Sequence, residues 1–392
     1  MRKILLCCAM VAACRVWGQT PEDAPAGRAE ALRAQLPGLF RDAAGQYRGM
    51  LTQLEGTRDA FPRRWEKGRL VTVGPKEWTS GFFPGSLWLL YEATREEEWK
   101  REAMRYTAML EPVRHYTGNH DIGFMLYCSF GNGLRLANPD GYREVLLDGA
   151  AALCKRYVPS LGMIRSWDSY KNPVIIDNMM NLELLMWAAK QSGEARFREI
   201  AVSHADQTDR RHFRPDGSAY HIVDYNPATG KILGYHAGQG ASADGPWARG
   251  QSWGLYGFTM MFRETRKPGY LARAVKSADF LIGHRNLPAD AVPYWDYGAA
   301  GIPNEPRDAS AAAIMASKSG ACRWTAGRAP KRRARSTRAS CTEVRELASA
   351  ASVRISAAGT FDTSRMLRTS PRLAIPSPGT VAKCFPNNSK TG

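Results

Sequence analysis

The feature that most constrains this chain is the alternation of two kinds of helical pattern between residues 29 and 317. The first kind is apolar or small-residue-rich on every side and opens with a polar and aromatic motif. Its examples are WTSGFFPG from Trp78, NHDIGF from Asn119, IIDNMMN from Ile175, WARGQSWGLYG from Trp247 and EPRDASAAAIM from Glu305. The second kind follows it and is amphipathic and charged, as in REEEWKREAMRYTAMLEPVR from Arg95 and GEARFREIAVSHADQTDRR from Gly193. A helix that is apolar all round has to be internal, and an amphipathic one covers it with its polar face to water. Five such pairs predict an all-α toroid, an (α/α)6 barrel, with the opening motifs gathered at one end of the inner ring. A plain helical solenoid is the alternative, and no fixed sequence period decides between them.

The helical patterns fall near 29–55, 82–93, 95–113, 121–136, 141–156, 177–191, 194–208, 248–265, 268–284 and 307–317. Between them stand Pro84-Gly85, Pro139-Asp140-Gly141, Pro215-Asp216-Gly217 and Pro227 with Gly230. The stretch DGSAYHIVDYNPATGK, 216–231, alternates and then turns, which predicts a short hairpin. No convincing series of further strands is visible.

The two ends read differently. MRKILLCCAMVAACRVWGQ has two basic residues, an apolar run from Ile4 to Cys14 and a small-residue exit. Residues 1–18 are therefore expected to be a secretory signal, with export to the periplasm. Val11-Ala12-Ala13-Cys14 is the alternative, a lipoprotein processing site. No later segment has the length and apolarity of a transmembrane helix. Residues 19–317 form the expected barrel. From Lys318 the composition switches abruptly to Arg, Ser and Ala: 15 Lys and Arg stand against 3 Asp and Glu. This basic tail, 318–392, reads as sequence translated out of frame, which would leave the barrel short of its last helices. A disordered polyanion-binding tail is the competing reading. The whole chain carries a formal charge of +17, but only +5 of it lies before Lys318, so no nucleic-acid partner is expected. Of eight cysteines only Cys128 and Cys154 belong to the barrel, as buried free thiols or one disulfide. No Cys/His spacing of the zinc type, nucleotide loop or other cofactor motif appears, so neither metal nor cofactor is expected.

Two acids stand where a loop becomes an inner helix: Asp121 and Asp177. A helix start offers free N–H groups and the positive end of the peptide dipole. Either Asp alone reads as an ordinary N-cap. Together, with His120 and His221 beside them, they read as an acid/base pair. The dipole alone would lower the pKa of Asp177, whereas a nearby ionised Asp121 raises it. Asn178 and Asn181 are placed to fix the Asp177 rotamer. Trp78, Trp247 and Trp253, at motif loops and helix mouths, offer flat faces for a sugar, with Trp253 and Trp78 the stronger candidates; Trp88, Trp99 and Trp187 lie mid-helix and read as core.

The segments EWTSGFFPGSLW, NHDIGF, SWD, IIDNMMNLELLMWA, DGSAYHIVDYNPATG, WARGQSWGLYGF and PRDASAAAIMAS, in this order from about Arg28 to Ser317, resemble the unsaturated glucuronyl hydrolases, glycoside hydrolase family 88. The unsaturated rhamnogalacturonyl hydrolases are a near neighbour. The resemblance implies a glycoside hydrolase that removes 4,5-unsaturated uronic acid from oligosaccharides left by polysaccharide lyases, by hydrating the enol-ether double bond. It implies Asp177 as general acid and base, with Asp121 as the second, tuning carboxylate. It also implies that His120, His221, Arg249, Gln251, Trp253, Trp78 and Gln239 line the substrate site. For Arg249 two roles stay open, a bidentate fork on a uronate carboxylate or an internal salt bridge to Asp177. A non-catalytic, carbohydrate-binding remnant of the same fold is the competing reading.

Overall fold

A computed structural model describes residues 26–326, with side chains described for 33–317. The expected signal (1–18) and nearly all of the basic tail (318–392) lie outside the described residues. So do Cys7, Cys8, Cys14, Cys341 and Cys384, as well as the side chain of Cys322.

Ten α-helices lie among the described residues, in five outer–inner pairs. The outer helices are α1 (Ala26–Gln53), α3 (Glu97–Ala108), α5 (Tyr142–Cys154), α7 (Ala195–Arg211) and α9 (Pro268–Gly283). The inner ones are α2 (Phe82–Thr94), α4 (Cys128–Leu136), α6 (Asn178–Ser192), α8 (Ala248–Thr265) and α10 (Ala309–Ala326). α4 is preceded by a π-helical turn, Gly123–Tyr127. Each inner helix packs against the next around the ring, α2 on α4, the π turn on α6, α6 on α8 and α8 on α10. Among the described residues no comparable packing joins α2 to α10, although Phe82 of α2 and Ile314 of α10 border the same cluster around Phe124, Met180 and Trp253.

The connections explain where the motifs gather. Three inner helices end on a left-handed residue, Arg95, Gly193 and Arg266, whose N–H returns to Tyr91, Ala189 and Phe262 respectively. In each case the outer helix begins two residues later, which makes tight αα-hairpins. The return connections from outer to inner helices are long, and they carry every opening motif to the end where the inner helices start. Close approach around the inner ring depends on glycine. A Cβ on Gly81 would sit 2.2 Å from the Met125 carbonyl oxygen, and one on Gly123 would sit 2.7 Å from the Asn181 Cα.

The helices match the predicted patterns with small shifts; α3 is shorter because Pro112 starts a separate 3₁₀ turn, Glu111–His115. Strands are more numerous than expected. A hairpin pairs β1 (Phe61–Glu66) with β2 (Arg69–Val73) across Lys67 and Gly68, both at positive φ. β3 (Tyr157–Val158) pairs with β4 (Met163–Ile164). The predicted hairpin is present but displaced: β6 (Ile222–Tyr225) and β7 (Ile232–His236) are antiparallel, and β5 (Pro173–Ile175) adds to β6 as a third strand. β5 leads directly into Asp177, and β6 follows His221, so this small sheet fixes two site residues. Cys128 and Cys154 are free thiols, half-buried rather than fully buried. No helix among the described residues is long and apolar enough to cross a membrane.

Candidate active site

The heads of the neighbouring inner helices α4 and α6 bring Asp121 and Asp177 into one buried region. Asp177 occupies the N-cap position of α6 but has helical backbone angles, φ −59° and ψ −25°, and makes no side-chain capping bond. Its Oδ2 is buried without a hydrogen-bond partner. Asp121 keeps its backbone carbonyl for Met125 N–H (3.1 Å), and its carboxylate Oδ1 lies 3.3 Å from His120 Nε2. Both carboxyls are thus free of the capping role that a lone Asp would ordinarily play.

Burial raises the proton affinity of both acids, because the charged form loses its hydration. Asp177 is pushed up to about 7 by burial, against the opposing pull of the Arg249 charge. Asp121 is raised well above the usual carboxylate value by burial, then by the negative charges of Asp177 and Glu77, with Arg156 opposing. That Asp121 feels Asp177 puts the two within electrostatic reach. Two carboxylates in such surroundings cannot both ionise cheaply, so the pair retains a proton near neutral pH.

The two histidines flank the pair. His221 Nε2 lies 3.7 Å from Asp177 Oδ2, and neither atom has a hydrogen-bond partner. The other ring nitrogen, Nδ1, sits 2.9 Å from the Ala237 carbonyl oxygen and 3.1 Å from the Gln239 N–H. Burial lowers His221 to about 4 and His120 to about 3, so both are neutral imidazoles at neutral pH.

Arg249 corrects one expectation. Its partner is Asp308 rather than Asp177: Nη1 donates to Asp308 Oδ2 (2.9 Å) and Ser310 Oγ (3.0 Å), and Nη2 to Gln239 Oε1 (3.0 Å). Asp308 Oδ1 accepts the Ala311 N–H (2.9 Å), so one carboxylate caps α10 and holds the guanidinium. Gln239 is tied to both Arg249 and His221. Gln251 is not free for a substrate, because Oε1 accepts Ala219 N–H (2.6 Å) and Nε2 donates to Ala219 O (2.9 Å). It fixes the segment leading to His221.

The tryptophans divide differently from expectation. Trp78 is half-buried and edge-on to Phe82 and Phe124, which leaves it a usable surface. Trp253 is 4% exposed and packs with Phe124 and Met180 in the middle of the ring. Trp247 is 2% exposed, tilted against His221 at 4.2 Å with Arg249 over its ring. Neither offers an open face, because an all-round packed inner helix covers the rings at its head. Trp88 and Trp99 are in the core as predicted, and Trp187 is partly buried against it. Asn178 and Asn181 do not hold Asp177; they turn toward Ile164 and His120. Sequence reasoning missed Asp308, Glu77 and Arg156, although the RDAS and EWTSG motifs carry the first two.

Ten helices in an inner and an outer ring, with two buried carboxyls at the inner-helix heads, define a barrel of the (α/α)6 class among the described residues. An unsaturated glucuronyl hydrolase from Formosa agariphila is 46% identical over 265 residues, 66% of this chain and 66% of that protein. The chain thus spans just under two thirds of that relative's length. An unsaturated glucuronyl hydrolase from Bacillus sp. strain GL1 is 32% identical over 288 residues, 71% of this chain and 76% of that protein. A crystal structure of an unsaturated glucuronyl hydrolase specific for heparin superposes with a TM-score of 0.72 at 35% identity, covering 82% of this chain and 83% of that one. No family model matches the chain. The chain belongs to the unsaturated glucuronyl hydrolase family.

Proposed function

We propose that the chain hydrates the C4=C5 double bond of a 4,5-unsaturated uronic acid at the non-reducing end of an oligosaccharide, and so releases it. The observation that carries this reading is the Asp177 carboxyl, buried at an inner-helix head with Oδ2 unpartnered and its proton held up to about 7. An acid poised near the working pH is what proton transfer to carbon needs.

Asp177 in its acid form donates its proton to C4, and positive charge develops at C5 and the ring oxygen. Water adds at C5 and gives a proton to the Asp177 carboxylate, which restores the acid. The hemiketal at C5 opens to a ketone, the former ring oxygen becomes a hydroxyl on C1, and that hemiacetal collapses with loss of the remaining sugar as an alcohol. Asp121 is the second, tuning carboxyl: in one buried region the two acids disfavour each other's ionisation, so that a proton stays on the pair. His221, neutral and facing Oδ2, orients the donor. In this reading Trp78 and the Arg249–Gln239 edge border the sugar. Export to the periplasm belongs with this proposal and rests on residues 1–18 as sequence.

The heparin-specific relative makes an unsaturated heparin disaccharide the first substrate to offer. Its near-UV enol-ether absorbance should disappear on incubation, and the rate should fall about tenfold per pH unit above pH ~7 as Asp177 loses its proton. Asp177→Asn should abolish the change while circular dichroism stays that of a folded helical protein. Folded wild-type protein that binds unsaturated disaccharides but never consumes the absorbance would refute the hydrolase reading in favour of a sugar-binding remnant.

A further inference from the structure

The inner helices α4 and α6 meet where Gly123 leaves room for Asn181. A Cβ at Gly123 would lie 2.6 Å from Asn181 Oδ1. Into that space Asn181 Oδ1 reaches across and accepts the N–H of Phe124 (2.9 Å), one of the donors that a helix start leaves unpaired. This bond decides which way the amide faces, since only the oxygen can accept. The NH₂ group must then be the atom beside His120 Nδ1, at 3.4 Å. An NH₂ donor requires a lone pair on Nδ1, and a neutral imidazole with a lone pair on Nδ1 carries its proton on Nε2. Nε2 is the nitrogen 3.3 Å from Asp121 Oδ1.

Asn178 Nδ2 donates to the Ile164 carbonyl (3.0 Å), and its buried Oδ1 has no hydrogen-bond partner. The backbone of His120 is also fixed, its N–H donating to Ser166 O (3.1 Å). Around this group stand Arg156, His204 and His221 on the imidazole side, and Asp177, Glu77, Tyr116 and Arg156 on the carboxylate side.

We propose that Asn181 is a positioning residue for the reaction: by bonding the π turn at the head of α4 across the helix interface it locks His120 in the Nε2–H form, which turns an N–H rather than a lone pair toward Asp121. The proposal rests on the reading of Asp121 and Asp177 as the reacting pair, but the lock itself is a statement about one proton and is measurable without substrate. Asn181 touches neither carboxylate; it acts through His120.

Long-range proton–nitrogen NMR spectra of the full chain, labelled with ¹⁵N-histidine, distinguish the two neutral tautomers, and His120→Asn identifies the signal. Wild type should show Nε2–H. Asn181→Asp keeps the acceptor for Phe124 but loses the donor to Nδ1, so the proton should move to Nδ1. With an unsaturated disaccharide, kcat should fall about tenfold or more while KM changes by less than about twofold. An Nδ1–H signal in wild type overturns the proposal, as does an Asn181→Asp protein with unchanged tautomer and kcat. Should that variant not fold, neutron diffraction from deuterated wild-type crystals locates the proton directly. A wild-type protein with Nε2–H but no turnover of any unsaturated disaccharide would leave the lock standing and overturn the function.

Discussion

The buried acid at residue 177 should make folding stability depend on pH in a direction opposite to that of an ordinary paired carboxylate. Asp177 rises from 3.8 to about 7 on folding. Between those values the folded protein holds a proton that the unfolded chain has released, so stability is lost as pH rises toward and through 7. Integrating between pH 5 and pH 8.5 covers about two pH units of this difference, or roughly 2.7 kcal/mol. Asp177→Asn removes the group and keeps its shape. Its stability relative to wild type should therefore improve by about 2.5 kcal/mol between pH 5 and pH 8.5, and by more to the extent that Asp121 also gains from losing a negative neighbour. Urea denaturation of both proteins at the two pH values, followed by circular dichroism, measures this as a difference of differences. A variant whose advantage over wild type is the same at both pH values, within ~0.5 kcal/mol, would show that Asp177 is ionised in the fold. The acid role would fall with it.

Two further outcomes follow from contacts elsewhere in the ring. Asp308→Ala removes both the cap of α10 and the carboxylate that Arg249 hydrogen-bonds, leaving a mostly buried guanidinium without that counter-ion; urea midpoints should report a loss of about 3 kcal/mol or more, and a loss under 1 kcal/mol would contradict the anchoring role. Gly81→Ala places a methyl 2.2 Å and 2.3 Å from the Met125 and Phe124 carbonyl oxygens, which are backbone and cannot step aside. The cost should reach about 3 kcal/mol, with weaker activity from the shifted α4 head, and a neutral thermal melt would show that α2 and α4 have slack between them.

The inner ring was legible in the sequence because its signals are local. An apolar run opened by Gly, Asp or Asn and closed by a left-handed residue marks a helix without reference to the rest of the chain, and the acids and histidines sit on those boundaries. The β1–β2 hairpin escaped because Pro62 and a register shift between Pro62 and Arg64 break the alternation; its readable sign was the Lys67-Gly68 turn. The partners of Arg249, Asn181 and Gln251 were not legible for another reason. Each is decided by a residue 32 to 61 positions away that arrives only when the helices assemble. Sequence alone put Arg249 near Asp177, which is true of its charge, but could not show that Asp308 takes its hydrogen bonds. In the same way Trp253 sits at a helix mouth by sequence and is covered by Phe124 and Met180 in space.

The grip of Asp308 on Arg249 has a consequence for biosynthesis. Both acids, both histidines and the arginine are made before residue 308 leaves the ribosome, yet the guanidinium gains its anchor only when α10 docks. Before that, of its partners here only Gln239, which accepts from Nη2 at 3.0 Å, has been made. The order in which the helices are made thus leaves the seat of Arg249, on α8, unfinished until the last described helix is docked.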